Sequence, residues 1–226
     1  MFPSRKPQTP VRTATPDMLF EERGRDAPCN ERRYEQRRRV ISALATLALA
    51  LLSPVAYGQG IEEKAQICAA CHGENGVPPA QSGAPVIWGQ NLGYLFFQLR
   101  DFKSGARKSD QMTPIVESLE PGELMQLAQF FSRRKWPDLR QLRPDQEVVA
   151  VAQRANAAIV CAACHQRDFT GDSNQPRLAG QTRAYLEKTM IDFRTSARAN
   201  NPGMHELMLG ISEKEIAALA TYLAGF

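Results

Sequence analysis

The pentapeptide CAACH occupies residues 68–72 and returns at residues 161–165. The two copies take four of the chain's five cysteines and two of its three histidines. A chain of 226 residues can form one large domain or two small ones. Superposing the pentapeptides decides for two, because the register continues beyond them. An offset of 93 residues places Cys68, Cys71 and His72 on Cys161, Cys164 and His165. From Gly89, "GQNLGYLFFQLRDFKSGAR" matches "GQTRAYLEKTMIDFRTSAR" from Gly180, pairing Tyr94 with Tyr185, Phe102 with Phe193 and Arg107 with Arg198, while Pro85 falls on Pro176. One further inserted residue brings Met112 onto Met204 and "LEPGELMQLAQFF" onto "ISEKEIAALATYL". The expected organisation is a first domain over 59–135, a linker over 136–145 and a second domain over 146–226.

Each copy reads as helical, with few strand signals. A helix of about Ile61 to Ala70 carries the first pentapeptide's cysteines, and a longer one from about Gln146 carries the second's. A further helix runs from about Asn91 to Lys103, where Leu95, Leu99 and Phe102 follow the i, i+4, i+7 spacing of one apolar face. The last helix of each copy starts at Pro121, a favoured first helical residue, or at Ser212, whose Ser-x-x-Glu pattern with Glu215 is a capping box. Long loops rich in Gly and Pro, such as "GENGVPPAQSGAPVIWG", separate these helices. An all-α unit of about 80 residues with so much loop has little apolar surface of its own to bury, so something other than protein is expected at its centre.

Charge is unevenly placed. Ten of the 28 basic and six of the 24 acidic residues precede residue 40, and the rest of the chain is balanced. The net +4 therefore belongs to the leader and gives no reason to expect a nucleic-acid partner. After Arg39 come 13 uncharged, mostly apolar residues, Val40 to Leu52, then Pro54 and small residues. A membrane span takes about 20 residues, so residues 1–58 read as a secretory signal with a long basic start and cleavage after Gly58. An uncleaved anchor and a true start at Met18 are the alternatives. Export leads to a periplasmic location, and Cys29 would leave with the leader.

C-x-x-C-H is the attachment signature of c-type haem. Two thiols three residues apart lie on neighbouring turns of one helix face, where each can form a thioether with a porphyrin vinyl group. The next residue supplies an imidazole for the iron. Two rival chemistries compete for the same cysteines. A redox thiol pair would want a thioredoxin-like strand and helix. Zinc sites usually keep their cysteine pairs about 15–20 residues apart, whereas these stand 93 apart. Two covalently bound haem c groups, on Cys68/Cys71 and Cys161/Cys164, account for the pattern best.

The cysteine-bearing helix, Pro85, "GQNLGYLFFQLRDFKSGAR", "MTPIVESL" and the final amphipathic helix together resemble class I c-type cytochromes, and the duplication resembles the two-haem cytochrome c4 family. The resemblance covers nearly all of the chain after the leader. It implies that His72 and Met112 hold one iron and His165 and Met204 the other, with the Pro85 and Pro176 carbonyls orienting the two imidazoles. Thioether sulfur is a soft, neutral donor that favours ferrous iron, so His/Met ligation raises the reduction potential and leaves no open site for substrate. Met125, Met190 and Met208 read as core. His205, next to Met204, is a rival ligand that falls outside the repeat's register and reads as an exposed loop residue. Tyr94, Tyr185, Phe102, Phe193 and Trp88 read as packing around the haem, while Arg107 and Arg198 either balance propionate charge or solvate the surface.

The resemblance further implies a monomeric, non-enzymatic carrier of single electrons between redox proteins, from a quinol-oxidising complex to a terminal oxidase, with peripheral membrane association compatible with that work. A haem subunit of a periplasmic dehydrogenase uses the same domains. A two-haem peroxidase would need one switchable iron, against which the paired methionines stand.

Overall fold

A computed structural model describes residues 59–226. The signal segment assigned to 1–58 lies outside the described residues. Among those described there are nine helices and no strand, only an isolated antiparallel bridge between Asp172 and Gln175. The first half holds α1 (Gln59–His72), α2 (Leu92–Ser104), α3 (Met112–Glu117) and α4 (Pro121–Ser132). The second holds α5 (Gln146–Ile159), α6 (Ala162–His165), α7 (Arg183–Arg194), α8 (Pro202–Leu209) and α9 (Glu213–Ala224).

Local chemistry sets the helix ends. Pro121 opens α4 behind a reciprocal capping box of Glu120 and Glu123, and Ser212 and Glu215 form the same box at α9. Each satisfies amide hydrogens that a helix start leaves unpaired, at about 1 kcal/mol per cap. The core then forms separately in each half. Leu95 and Phe102 of α2 pack with Val116 of α3 and Leu124, Leu127 and Phe131 of α4. In the second half Leu186, Met190 and Phe193 of α7 meet Met208 of α8 and Ile216, Leu219 and Leu223 of α9. Met190 and Met208 are core, as expected, whereas Met125 on α4 is only half-buried.

Two features depart from the sequence-based expectation. The long helix before the second pentapeptide does not carry it: α5 stops at Ile159, and Val160 turns left-handed at φ 51°, its N–H returning to the Asn156 carbonyl at 2.7 Å. Cys161 is then the N-cap of the four-residue α6, whose single turn, closed by His165 N–H to the Cys161 carbonyl at 3.0 Å, still groups the two thiols and the imidazole. Both methionine-bearing stretches are helical rather than loop. A side-chain oxygen three residues back holds each methionine's amide, Ser109 Oγ accepting the Met112 N–H and Asn201 Oδ1 accepting the Met204 N–H, each at 3.1 Å.

The halves meet where α2 begins. The Tyr94 N–H donates to the Ser173 carbonyl at 3.2 Å, and Asn91 Nδ2 donates to the Gln175 carbonyl at 2.7 Å. Gly93 belongs here for want of space, since a Cβ would stand 2.1 Å from Asn174 Oδ1. Gly93→Ala is therefore expected to lower stability by about 1–3 kcal/mol, read as a lower denaturation midpoint; no change would mean that the halves touch less closely than this. The connecting segment 136–145 is exposed at Leu142 but fastened nearby. Gln141 Nε2 donates to the Gln181 and Ala224 carbonyls at 2.9 and 3.1 Å, and the Arg177 guanidinium stacks 4.7 Å over the Trp136 ring. No described helix is long and apolar enough to cross a membrane.

Candidate functional site

Each pentapeptide ends in a buried histidine with one ring nitrogen committed. His72 Nδ1 donates to the Pro85 carbonyl at 2.7 Å, and His165 Nδ1 donates to the Pro176 carbonyl at 3.0 Å. A carbonyl can only accept, so Nδ1 carries the hydrogen and Nε2 keeps its lone pair, which is the tautomer a metal ligand needs. Burial lowers the pKa of both imidazoles, against a smaller opposing effect of the bonds to Pro85 and Pro176, and so favours the neutral ring.

One cavity of about 1370 Å³ runs through both halves, beyond the roughly 300–1,000 Å³ of a drug-sized pocket. Cys68, Cys71, His72 and Met112 line it from the first half, and Cys161, Cys164, His165 and Met204 from the second. Apolar side chains such as Leu99, Phe102, Leu186 and Phe193 complete its walls. Of these four cysteines, Cys71 and Cys164 are exposed and Cys68 and Cys161 half-buried. Burial pushes the Cys68 thiol up to about 11 and raises Cys161 as well. The thioredoxin-like alternative fails on its fold, since there is no strand among the described residues to carry such a pair. Zinc fails too, because no group of three or more His, Cys, Asp or Glu among the described residues is arranged to hold a metal ion. A large, mostly apolar cavity with paired thiols and an imidazole of fixed tautomer in each half fits two covalently attached haems.

His205, the rival ligand, sits on α8 rather than in a loop. Its Nδ1 donates to the Phe193 carbonyl at 2.7 Å, and it is not among the residues lining the cavity.

Tyr94 and Tyr185 line the cavity where the halves join. Arg198 Nη2 donates to the Tyr94 hydroxyl at 3.3 Å and Arg107 Nη2 to the Tyr185 hydroxyl at 3.1 Å, each bond crossing from one half to the other. Gln98 Oε1 accepts from both guanidiniums, each at 2.8 Å. Burial raises the Tyr185 phenol, but the two guanidiniums outweigh it and pull the group down to about 7. Arg198 is 5% exposed, so it is an interior cation and does not solvate the surface.

Sequence reading passed over Gln90 and Gln181, which are 3% and 2% exposed and bond across the same seam. Their signal was present: a polar residue at one register position of both copies, beside apolar runs.

Comparison with known proteins bears on both halves. A family model described as cytochrome c matches residues 149–225. Cytochrome c4 of Pseudomonas aeruginosa is 30% identical over 196 residues, spanning 82% of this chain and 97% of that protein. A protein called thiosulfate dehydrogenase electron acceptor, from Stutzerimonas stutzeri, is 30% identical, spanning 81% of this chain and 93% of its own. Among solved structures, the reduced recombinant cytochrome c4 of Pseudomonas stutzeri superposes with a TM-score of 0.64 at 29% identity, covering 74% of this chain and 97% of that one. Thiosulfate dehydrogenase of Marichromatium purpuratum gives 0.61 at 26% identity, covering 70% of this chain and 36% of that one. The chain belongs to the cytochrome c4 family: an electron-transfer protein of two tandem class I cytochrome c domains, with covalent haem c at both of its C-x-x-C-H motifs.

Proposed function

We propose that the chain is an exported, periplasmic carrier of single electrons from a quinol-oxidising complex to a terminal oxidase, with His72 and Met112 as axial ligands of one haem and His165 and Met204 of the other. The observation that carries this reading is the pairing, in each half, of a proline-bonded imidazole with a methionine held at its amide on the walls of one cavity. Bound haem supplies reversible one-electron chemistry. The chain's own residues orient the ligands: the proline carbonyls hold the imidazole planes, and the Ser109 and Asn201 side chains fix the turns that present the thioethers. The apolar walls keep water from the cavity and, with soft thioether donors, favour the reduced state. Export rests on the leader over 1–58, and the balanced charge that follows it offers nothing to nucleic acid.

The test is a reconstituted chain of quinol, membranes and holoprotein. Quinol should reduce the protein through the membrane complex, and the oxidase should reoxidise it, at rates that limit neither step. Reduction without reoxidation would refute the proposed acceptor.

A second reading, a haem subunit of a periplasmic dehydrogenase, is favoured by the likeness to thiosulfate dehydrogenase electron acceptors and to part of the Marichromatium enzyme. Gentle isolation from the native cell separates the two, because a permanent subunit co-elutes with a catalytic chain and a shuttle runs as a free monomer.

A further inference from the structure

We propose that Gln90 and Gln181 are positioning residues that tune the haem of the opposite half, Gln181 acting on His72 and Gln90 on His165, each through one peptide group. This rests on the assignment of His72 and His165 to the irons.

The peptide group joining Pro85 to Val86 is used at both ends. Its carbonyl accepts from His72 Nδ1 at 2.7 Å, and its N–H donates to Gln181 Oε1, also at 2.7 Å. The second half repeats the arrangement in reverse. The carbonyl between Pro176 and Arg177 accepts from His165 Nδ1 at 3.0 Å, and the Arg177 N–H donates to Gln90 Oε1 at 2.7 Å. Each glutamine also donates from Nε2 to the carbonyl of the residue it serves, Val86 or Arg177, at 2.9 Å. Each Oε1 takes a second N–H as well, that of Asn91 at 2.8 Å or Thr182 at 2.9 Å. The amide orientation is therefore determined, since a flipped group would face two N–H donors with its own NH₂.

Hydrogen bonds in series polarise one another, and burial strengthens the effect. An acceptor on the peptide N–H shifts electron density to the carbonyl oxygen at the other end. That oxygen then draws harder on the histidine Nδ1 hydrogen. The imidazole gains anionic character and becomes a stronger donor at Nε2, which favours the oxidised metal and lowers the potential. Because the chain of bonds crosses the seam, the influence of each half falls on the other half's haem. A glutamine that merely fastened the halves together would show no such crossing.

The experiment is a redox titration of the holoprotein and of Gln181→Met and Gln90→Met, with the two haems followed separately by the NMR signals of their ring methyl groups. In Gln181→Met the haem on Cys68 and Cys71 should become easier to reduce by roughly threefold in the reduced-to-oxidised ratio, about 28 mV for one electron, with a smaller change at the other. Gln90→Met should give the mirror image. Equal movement of both haems in each variant, or movement confined to the half that carries the substitution, overturns the proposal. The ferric sulfur-to-iron charge-transfer band reports the methionines separately: if it is missing from the unmutated protein, the assignment of Met112 and Met204 has failed and not the tuning. Should a variant not fold, redox-difference infrared spectra of the unmutated protein with ¹³C-labelled glutamine side chains decide the matter. A labelled carbonyl band that shifts on reduction supports the proposal, and one that stays fixed contradicts it.

Discussion

Cys161→Ala combined with Cys164→Ala is expected to leave one covalent haem per chain and to unfold much of the second half. The reason lies in how little that half can bury by itself. Its core is drawn from α5, α7, α8 and α9, and the residues that complete it, among them Leu186, Phe193 and Leu219, also form the cavity wall. A domain of about 80 residues with such long loops falls near the size at which a protein core alone is marginal, and here the porphyrin supplies the missing apolar contact. Without its attachment those side chains face solvent. The pyridine haemochrome signal per chain should halve, and the far-UV helical signal should fall by a large part of the second half's share. Retention of full helicity would show that the polypeptide core suffices.

The second large effect concerns the methionines. Met112→Ala and Met204→Ala should each remove about half of the ferric sulfur-to-iron charge-transfer band and lower the potential of one haem only, because each loses the soft donor that favours the reduced metal. Met208→Ala is the matching control. Met208 is 2% exposed in the core of the second half, so its truncation should cost about 2–5 kcal/mol of stability and leave the band intact. If Met204→Ala also leaves the band intact, the second ligand assignment is wrong. His205 would not be its easy replacement, since it is not among the residues that line the cavity.

The cofactor and the internal symmetry were legible because covalent haem attachment demands a short, rigid motif and duplication preserves register. Helix starts at Pro121 and Ser212 were legible for a local reason, as both depend on residues within one turn. The break at Val160 was not. A β-branched residue rarely adopts φ 51°, and nothing in the run from Gln146 to Cys164 signals a stop. The short helices holding Met112 and Met204 were missed because the serine and asparagine that hold the methionine amides are set in segments that otherwise read as loop. Arg198 was given a surface alternative because the phenol and amide that satisfy it, Tyr94 and Gln98, lie in the other half. Gln90 and Gln181 escaped for the same reason: their partners, Arg177 and Val86, are 87 and 95 residues away in the chain, and only folding brings them together.

The most direct test of the whole scheme is a pyridine haemochrome titration per mole of protein, joined to an intact mass, on material exported by cells with a working haem-attachment apparatus. Two covalent haems on a chain beginning near Gln59 is the expected result. A colourless product, a single haem per chain, or a mass matching free thiols at Cys68, Cys71, Cys161 and Cys164 would contradict it.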